Sequence, residues 1–276
     1  MSKSSFFGGV AQADLTEHGQ VIKVPAFYYD GTAMTAVFPA RLSALRAVLP
    51  DPRFVPARVA PGIGAVALTC FEYRDTDLGP YNELSISIVL NEPYFRANLP
   101  GRALLSALRR GQFDVWVHQL PVTTEIARAA GVDYYNYPKF LASIDFTDDN
   151  GRRTCRLAEG PDHILTLSGR TMPAAGPSGL QFFSHLWMDG QPQSSEFKIG
   201  AAAMRCTFSP AAATLRLGNE HPLARDLDRM LLWRRPIYYQ HLARFEGILY
   251  GPEHLTAPLI KRALAASATP DLVPPS

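Results

Sequence analysis

From residue 141 onward the chain is written in short bursts, and this constrains its fold more than any other feature. β-type runs at 141–146, 153–158, 163–169, 180–187, 197–199 and 203–208 are separated by turn-rich stretches such as Asp148-Asp149-Asn150-Gly151 and 173–179. Short strands at this spacing close most economically into a large antiparallel sheet or barrel. The first half adds further runs at 63–73, 83–90 and 112–120, and an extended stretch over 21–38 that turns at Asp30-Gly31. Helical spacing is sparse. Leu42, Leu45, Val48 and Leu49 recur on one face and stop at Pro50; 124–130 stops at Gly131, in the manner of a glycine C-cap; 224–232 and 238–248 are two further helical candidates. The expected class is α+β, mainly β, with a few peripheral helices.

A chain of 276 residues, 47% hydrophobic and 19% charged, can bury a full core. We expect a flexible N-terminal arm over 1–20 that orders only against a neighbour, a single domain over 21–264, and a flexible tail over 265–276. The net charge of +2 and the scattered arginine doublets give no footprint for nucleic acid. Cys70, Cys155 and Cys206 are odd in number and without ligand spacing, so reduced thiols are expected. With no apolar run that would span a bilayer or form a leader, the expectation is a soluble cytoplasmic protein. The seven histidines occur singly, which argues against a metal. Gly62-Ile63-Gly64 precedes a strand and is no dinucleotide fingerprint, and Gly-x-Ser-x-Gly is absent, so neither a cofactor nor a serine hydrolase is expected.

Chemistry points to Lys139. It follows Tyr134-Tyr135-Asn136-Tyr137-Pro138 in a chain that has only five lysines and otherwise uses arginine for positive charge. An ammonium among aromatic rings is costly, and only lysine can lose its proton to become an amine nucleophile. At an ordinary pKa of ~10.4, about one lysine in 2,500 is neutral at pH 7, and poising it near 7 takes roughly 4.6 kcal/mol. Burial can supply that, while ring faces oppose it by ~0.5–2 kcal/mol. Glu83 is the second candidate. By strand alternation Glu83, Ser85 and Ser87 share one face and Leu84, Ile86 and Ile88 the other, which puts a carboxylate on the more polar side for proton transfer or for ordering Lys139. Tyr81 would share the Glu83 face and could hold a carbonyl. Tyr135 and Tyr137 are taken as substrate-binding wall.

The helix ending in Leu49-Pro50, then Tyr81-Asn82-Glu83, then Tyr137-Pro138-Lys139, with Thr214-Leu215-Arg216-Leu217-Gly218 and His221-Pro222-Leu223 later, resembles the acetoacetate decarboxylase family over residues 21–251. The resemblance implies a cone-like barrel with the lysine at its apolar centre, a homo-oligomer, a small-molecule keto substrate and a Schiff base on Lys139. A lysine activated by desolvation or a cationic neighbour in this family is an established case. Three departures stand out. Phe140 replaces the second lysine that the family's decarboxylases carry. The early strand has Asp30-Gly31-Thr32 where an arginine is expected. A glutamate expected before Tyr81 meets Leu68 on an ungapped count, with Glu72 nearby. These leave the iminium chemistry and weaken the case for acetoacetate, so decarboxylation and aldol or dehydration chemistry on a larger keto substrate stand side by side. A non-catalytic barrel binding an apolar or aromatic small molecule is the rival from another class.

Overall fold

The computed structural model describes residues 5–17, 20–91, 99–173, 176, 178–188 and 190–252. In chain order the elements are β1 (Ala13–Glu17), β2 (Gln20–Val24), β3 (Ala26–Arg41), α1 (Leu42–Val48), β4 (Ile63–Thr76), β5 (Tyr81–Val89), α2 (Arg102–Arg110), β6 (Gln112–Gln119) and α3 (Glu125–Ala129). They continue with β7 (Ser143–Asp149), β8 (Arg152–Glu159), β9 (Asp162–Arg170), β10 (Ser178–Met188), β11 (Gln191–Thr207), β12 (Ala213–Leu217), α4 (Pro222–Met230) and β13 (Tyr238–Leu249). Seven strands close a barrel in the order β10-β11-β13-β3-β4-β5-β6. Six of its seams are antiparallel, and the β6–β10 seam that shuts it is parallel. A second sheet, β12-β9-β8-β7, lies outside.

The long strands β3, β4 and β5 are buried on both faces. Met34, Ala36 and Phe38, Val66, Leu68 and Cys70, and Leu84, Ile86 and Ile88 face outward into one core with Cys155, Leu157, Leu165 and Leu167 of the outer sheet. The alternate residues face the barrel interior. At about 25 cal/mol per Å² of apolar surface, this outer layer carries much of the hydrophobic stabilisation and leaves the inner face free for a site. His221 caps α4, its ring accepting from the Leu223 amide at 3.1 Å and meeting Glu159 at 2.8 Å.

Several expectations are corrected. Residues 238–248 form strand β13 and no helix. Tyr239 packs outward and Leu242 inward, and two register shifts against β3 between Leu242 and Gly247 interrupt the two-residue period that would mark the run as a strand. Asp30-Gly31 is a register shift inside one continuous strand, not a turn. Gly31 is needed there, because a Cβ would meet the Phe245 ring at 2.8 Å. The runs at 197–199 and 203–208 belong to a single strand, β11, with irregular pairing between Ala201 and Met204. The α3 helix does not stop at Gly131 but widens into a π turn over Ala130–Tyr134. The segment assigned to a free arm is tied to its own chain: β1 pairs with β2, Ala13 is buried, and Phe7 packs on Phe27 and Tyr29. Residues 265–276 lie outside the described residues.

Candidate active site

Two segments converge on the barrel interior. β5 carries Glu83 inward, with Ser85 and Ser87 on the same face and Leu84, Ile86 and Ile88 outward, as the alternation predicts. Lys139 arrives on the connection that follows the π turn. This connection is pinned beside the strand end by the Leu120 amide donating to the Pro138 carbonyl at 3.1 Å and the Val122 amide to the Phe140 carbonyl at 3.0 Å. Asn136, at φ 53, reverses the chain just before it. The lysine stem then runs over Gly131, whose φ is ordinary. A Cβ at that position would overlap Lys139 Cδ and Cε, so the glycine is there for space.

Lys139 Nζ donates to Glu83 Oε2 at 2.9 Å, with side chains only 5% and 9% exposed. The other carboxylate oxygen accepts from the Tyr73 hydroxyl at 3.2 Å. The Tyr81 ring lies 5.8 Å from Nζ, and the Tyr28 and Tyr81 hydroxyls meet at 3.1 Å. Burial, reinforced by the Glu83 charge, holds the phenols of Tyr28 and Tyr73 well above their usual range, so both remain protonated; burial does the same for Tyr81. Tyr137 is pushed up to about 12, chiefly by burial and against a hydrogen bond with Ser184. Tyr73 is thereby kept as a donor that orients Glu83.

The pair forms part of the wall of a cavity of about 100 Å³ inside the barrel. Among the described residues its lining has no charged side chain besides Lys139 and Glu83. The volume is below the 150 Å³ of an engineered apolar cavity that takes benzene, so the space suits a compact ligand. The aromatic residues largely fill the barrel by packing on one another: Phe71 stacks on Tyr73 at 5.2 Å and Tyr28 leans on Tyr73 at 4.5 Å.

Of the residues predicted from sequence, Lys139, Glu83 and Tyr137 line this cavity. Tyr81 stands behind the pair. Tyr135 does not line the cavity: it flanks the lysine stem in a side space of about 10 Å³, and its hydroxyl reaches the Leu249 carbonyl at 3.3 Å. The Tyr135 and Tyr137 rings stack with centroids 5.5 Å apart on either side of left-handed Asn136, and only Tyr137 reaches the cavity. Neither position supplies a carboxylate to the site: Leu68 is apolar and faces the outer core, and Glu72 pairs with Arg153 at 2.5 Å. Sequence reasoning missed Tyr28, Tyr73 and Gly131. Tyr73 carries a weak signal, since Phe71 and Tyr73 alternate toward one face of β4; its alignment with Glu83 needs the β4–β5 register.

No curated protein matches the chain by sequence. Solved structures do. A structure described as acetoacetate decarboxylase is 18% identical with a TM-score of 0.56, covering 83% of this chain and 87% of its own. Acetoacetate decarboxylase from Legionella pneumophila subsp. pneumophila str. Philadelphia 1 is 14% identical with a TM-score of 0.56, covering 83% and 86%. The enduracididine biosynthesis enzyme MppR, complexed with pyruvate, is 13% identical with a TM-score of 0.55, covering 82% and 88%. At such identities these likenesses speak for the fold. The model of the family "Acetoacetate decarboxylase (ADC)" matches residues 13–197, a span that includes both Glu83 and Lys139, and the chain belongs to that family.

Proposed function

We propose that this protein is a lyase that joins Lys139 to a compact ketone as an imine and uses it to break or make the adjacent carbon–carbon bond. One observation carries the reading: a lysine amine at 5% exposure, held 2.9 Å from a carboxylate on the wall of an otherwise uncharged cavity. Glu83 takes a proton from the ammonium, and the neutral amine attacks the carbonyl carbon. The carbonyl oxygen leaves as water with two of the three ammonium protons, and the third stays on the iminium nitrogen. Glu83 then removes the hydroxyl proton of a β-hydroxy ketone. The Cα–Cβ bond breaks, its electron pair moves to nitrogen, and an aldehyde or ketone departs. Glu83 returns its proton to the enamine carbon, and water releases the product.

This cycle is balanced in protons. Decarboxylation through the same iminium consumes one more proton and brings a second negative charge beside Glu83, with no arginine among the described residues of the cavity lining to meet it. Aldol-type chemistry on an uncharged ketone is therefore the better fit. Diacetone alcohol and acetoacetate make the test direct: both give acetone, and only acetoacetate gives carbon dioxide. We expect diacetone alcohol to be cleaved with the higher kcat/KM, and borohydride with either compound to label the Lys139 peptide. A ketone shown to bind by calorimetry that leaves no label overturns the imine and returns the barrel to a binding role.

A further inference from the structure

The cavity has a second polar end. Gln240 on β13 lies beside Thr35 of β3, Thr35 beside Thr69 of β4, and Thr69 beside Ser85 of β5, so four neighbouring strands present one lateral row of uncharged hydrogen-bonding side chains. All four line the cavity. Glu83 lies two residues further along β5, one strand repeat of about 6.8 Å from Ser85 at one end of that row, and Gln240 stands at the other end, three strands across. Most of the row is satisfied internally. The Thr35 and Thr69 hydroxyls meet at 3.1 Å, Ser85 pairs with Ser87 at 2.7 Å, and the Tyr238 hydroxyl donates to Gln240 Oε1 at 2.5 Å. Gln240 Nε2 is the exception: it is buried, on a residue 3% exposed, with no group among the described residues to accept its protons.

We infer that Gln240 is a specificity-determining residue whose amide donates to an uncharged acceptor oxygen at the far end of the substrate. A buried amide donor left without a partner is unfavourable, and native structures seldom retain one without a reason. Burial keeps the Tyr238 phenol protonated, so its hydroxyl remains available to donate to Oε1, and Gln240 is part of the cavity lining. The row contains no cation, so a carboxylate at that end would be desolvated without a counter-charge. The substrate class is thus a neutral ketone with a second oxygen function, an ether, hydroxyl or carbonyl, at the Gln240 end of the cavity. The inference rests on Lys139 being the imine-forming group, which fixes where the ketone sits.

Three probes of matched chain length test it: a methyl ketone bearing a terminal methoxy group, the analogue with a methylene in place of the ether oxygen, and the corresponding terminal carboxylate. Calorimetry on the intact protein should show the ether binding about five- to tenfold tighter than its methylene analogue, the worth of one buried hydrogen bond, and the carboxylate weakest. Gln240→Met keeps the bulk and should erase the ether preference while the methylene analogue binds at least as well. Gln240→Leu, which also removes the donor, should erase it too. Equal affinity of ether and methylene probes for the unmodified protein, or an ether preference that survives both substitutions, overturns the assignment. Borohydride labelling of Lys139 is read separately, so a failed imine and a failed Gln240 contact give different results.

Discussion

The two faces of β3–β5 and their surroundings hold two buried cations, and they are built differently. On the outer side Arg153 joins Glu72 at 2.5 Å and Asp148 at 2.7 Å, with its guanidinium over the Phe146 ring. Both carboxylates keep contact with solvent, at 31% and 55% exposure. On the inner side Lys139 has one carboxylate, and that carboxylate is itself buried and held by a tyrosine. Arginine is used where the charge must stay, since its fork meets two acceptors and it does not deprotonate. Lysine is used where a proton can pass to its partner and leave a nucleophile. The outer pair belongs to the packing of two sheets, whereas the inner pair stands beside free volume.

The sharpest way to break this comparison is to make the inner cation resemble the outer one. Lys139→Arg keeps the charge but removes the nucleophile; borohydride labelling should vanish, and activity should fall on the order of 10⁴–10⁶-fold. Glu83→Gln keeps an acceptor for the amine but loses the base. The expected loss is ~10²–10⁴-fold in kcat, read by steady-state kinetics alongside circular dichroism to confirm the fold.

The phenols on the inner side give the next effect. The folded pKa of Tyr137, about 12, lies above its ordinary value of 10, so the folded state holds that proton more tightly. Its contribution is complete below pH 10 and is lost as pH rises through about 12. It amounts to about 2–3 kcal/mol, visible as a falling urea midpoint that Tyr137→Phe should flatten. Gly131→Ala forces a methyl group against the lysine stem. It should cost about 1–3 kcal/mol in thermal or urea unfolding and slow imine formation in the same variant. Least is expected from Arg153→Lys. With two half-open carboxylates able to rehydrate, stability should fall by about 1 kcal/mol, with Lys139 labelling unchanged.

Much of the inner face was legible before any coordinates. The alternation of Glu83, Ser85 and Ser87 against Leu84, Ile86 and Ile88 depends only on the two-residue period of a strand. The oddity of Lys139 depends only on composition and on its aromatic neighbours. Other features resisted a sequence reading for physical reasons. β13 carries two register shifts between Leu242 and Gly247, and a strand interrupted in this way shows no steady two-residue period to tell it from a helix. Tyr135 and Tyr137 stack on each other, and which of the two reaches the cavity depends on the turn at left-handed Asn136, which only the folded chain fixes.

The sequence by itself determined that the chain would close short strands around a core and that one lysine would be out of place there. Only the tertiary structure decided what that lysine meets. Its distance to Glu83, the Tyr73 hydroxyl behind the carboxylate, the glycine under its stem and the row ending at Gln240 are all set by register between segments far apart in the chain. Strand pairing and barrel closure fix those relations, and a one-residue slip in any seam would send a different side chain inward.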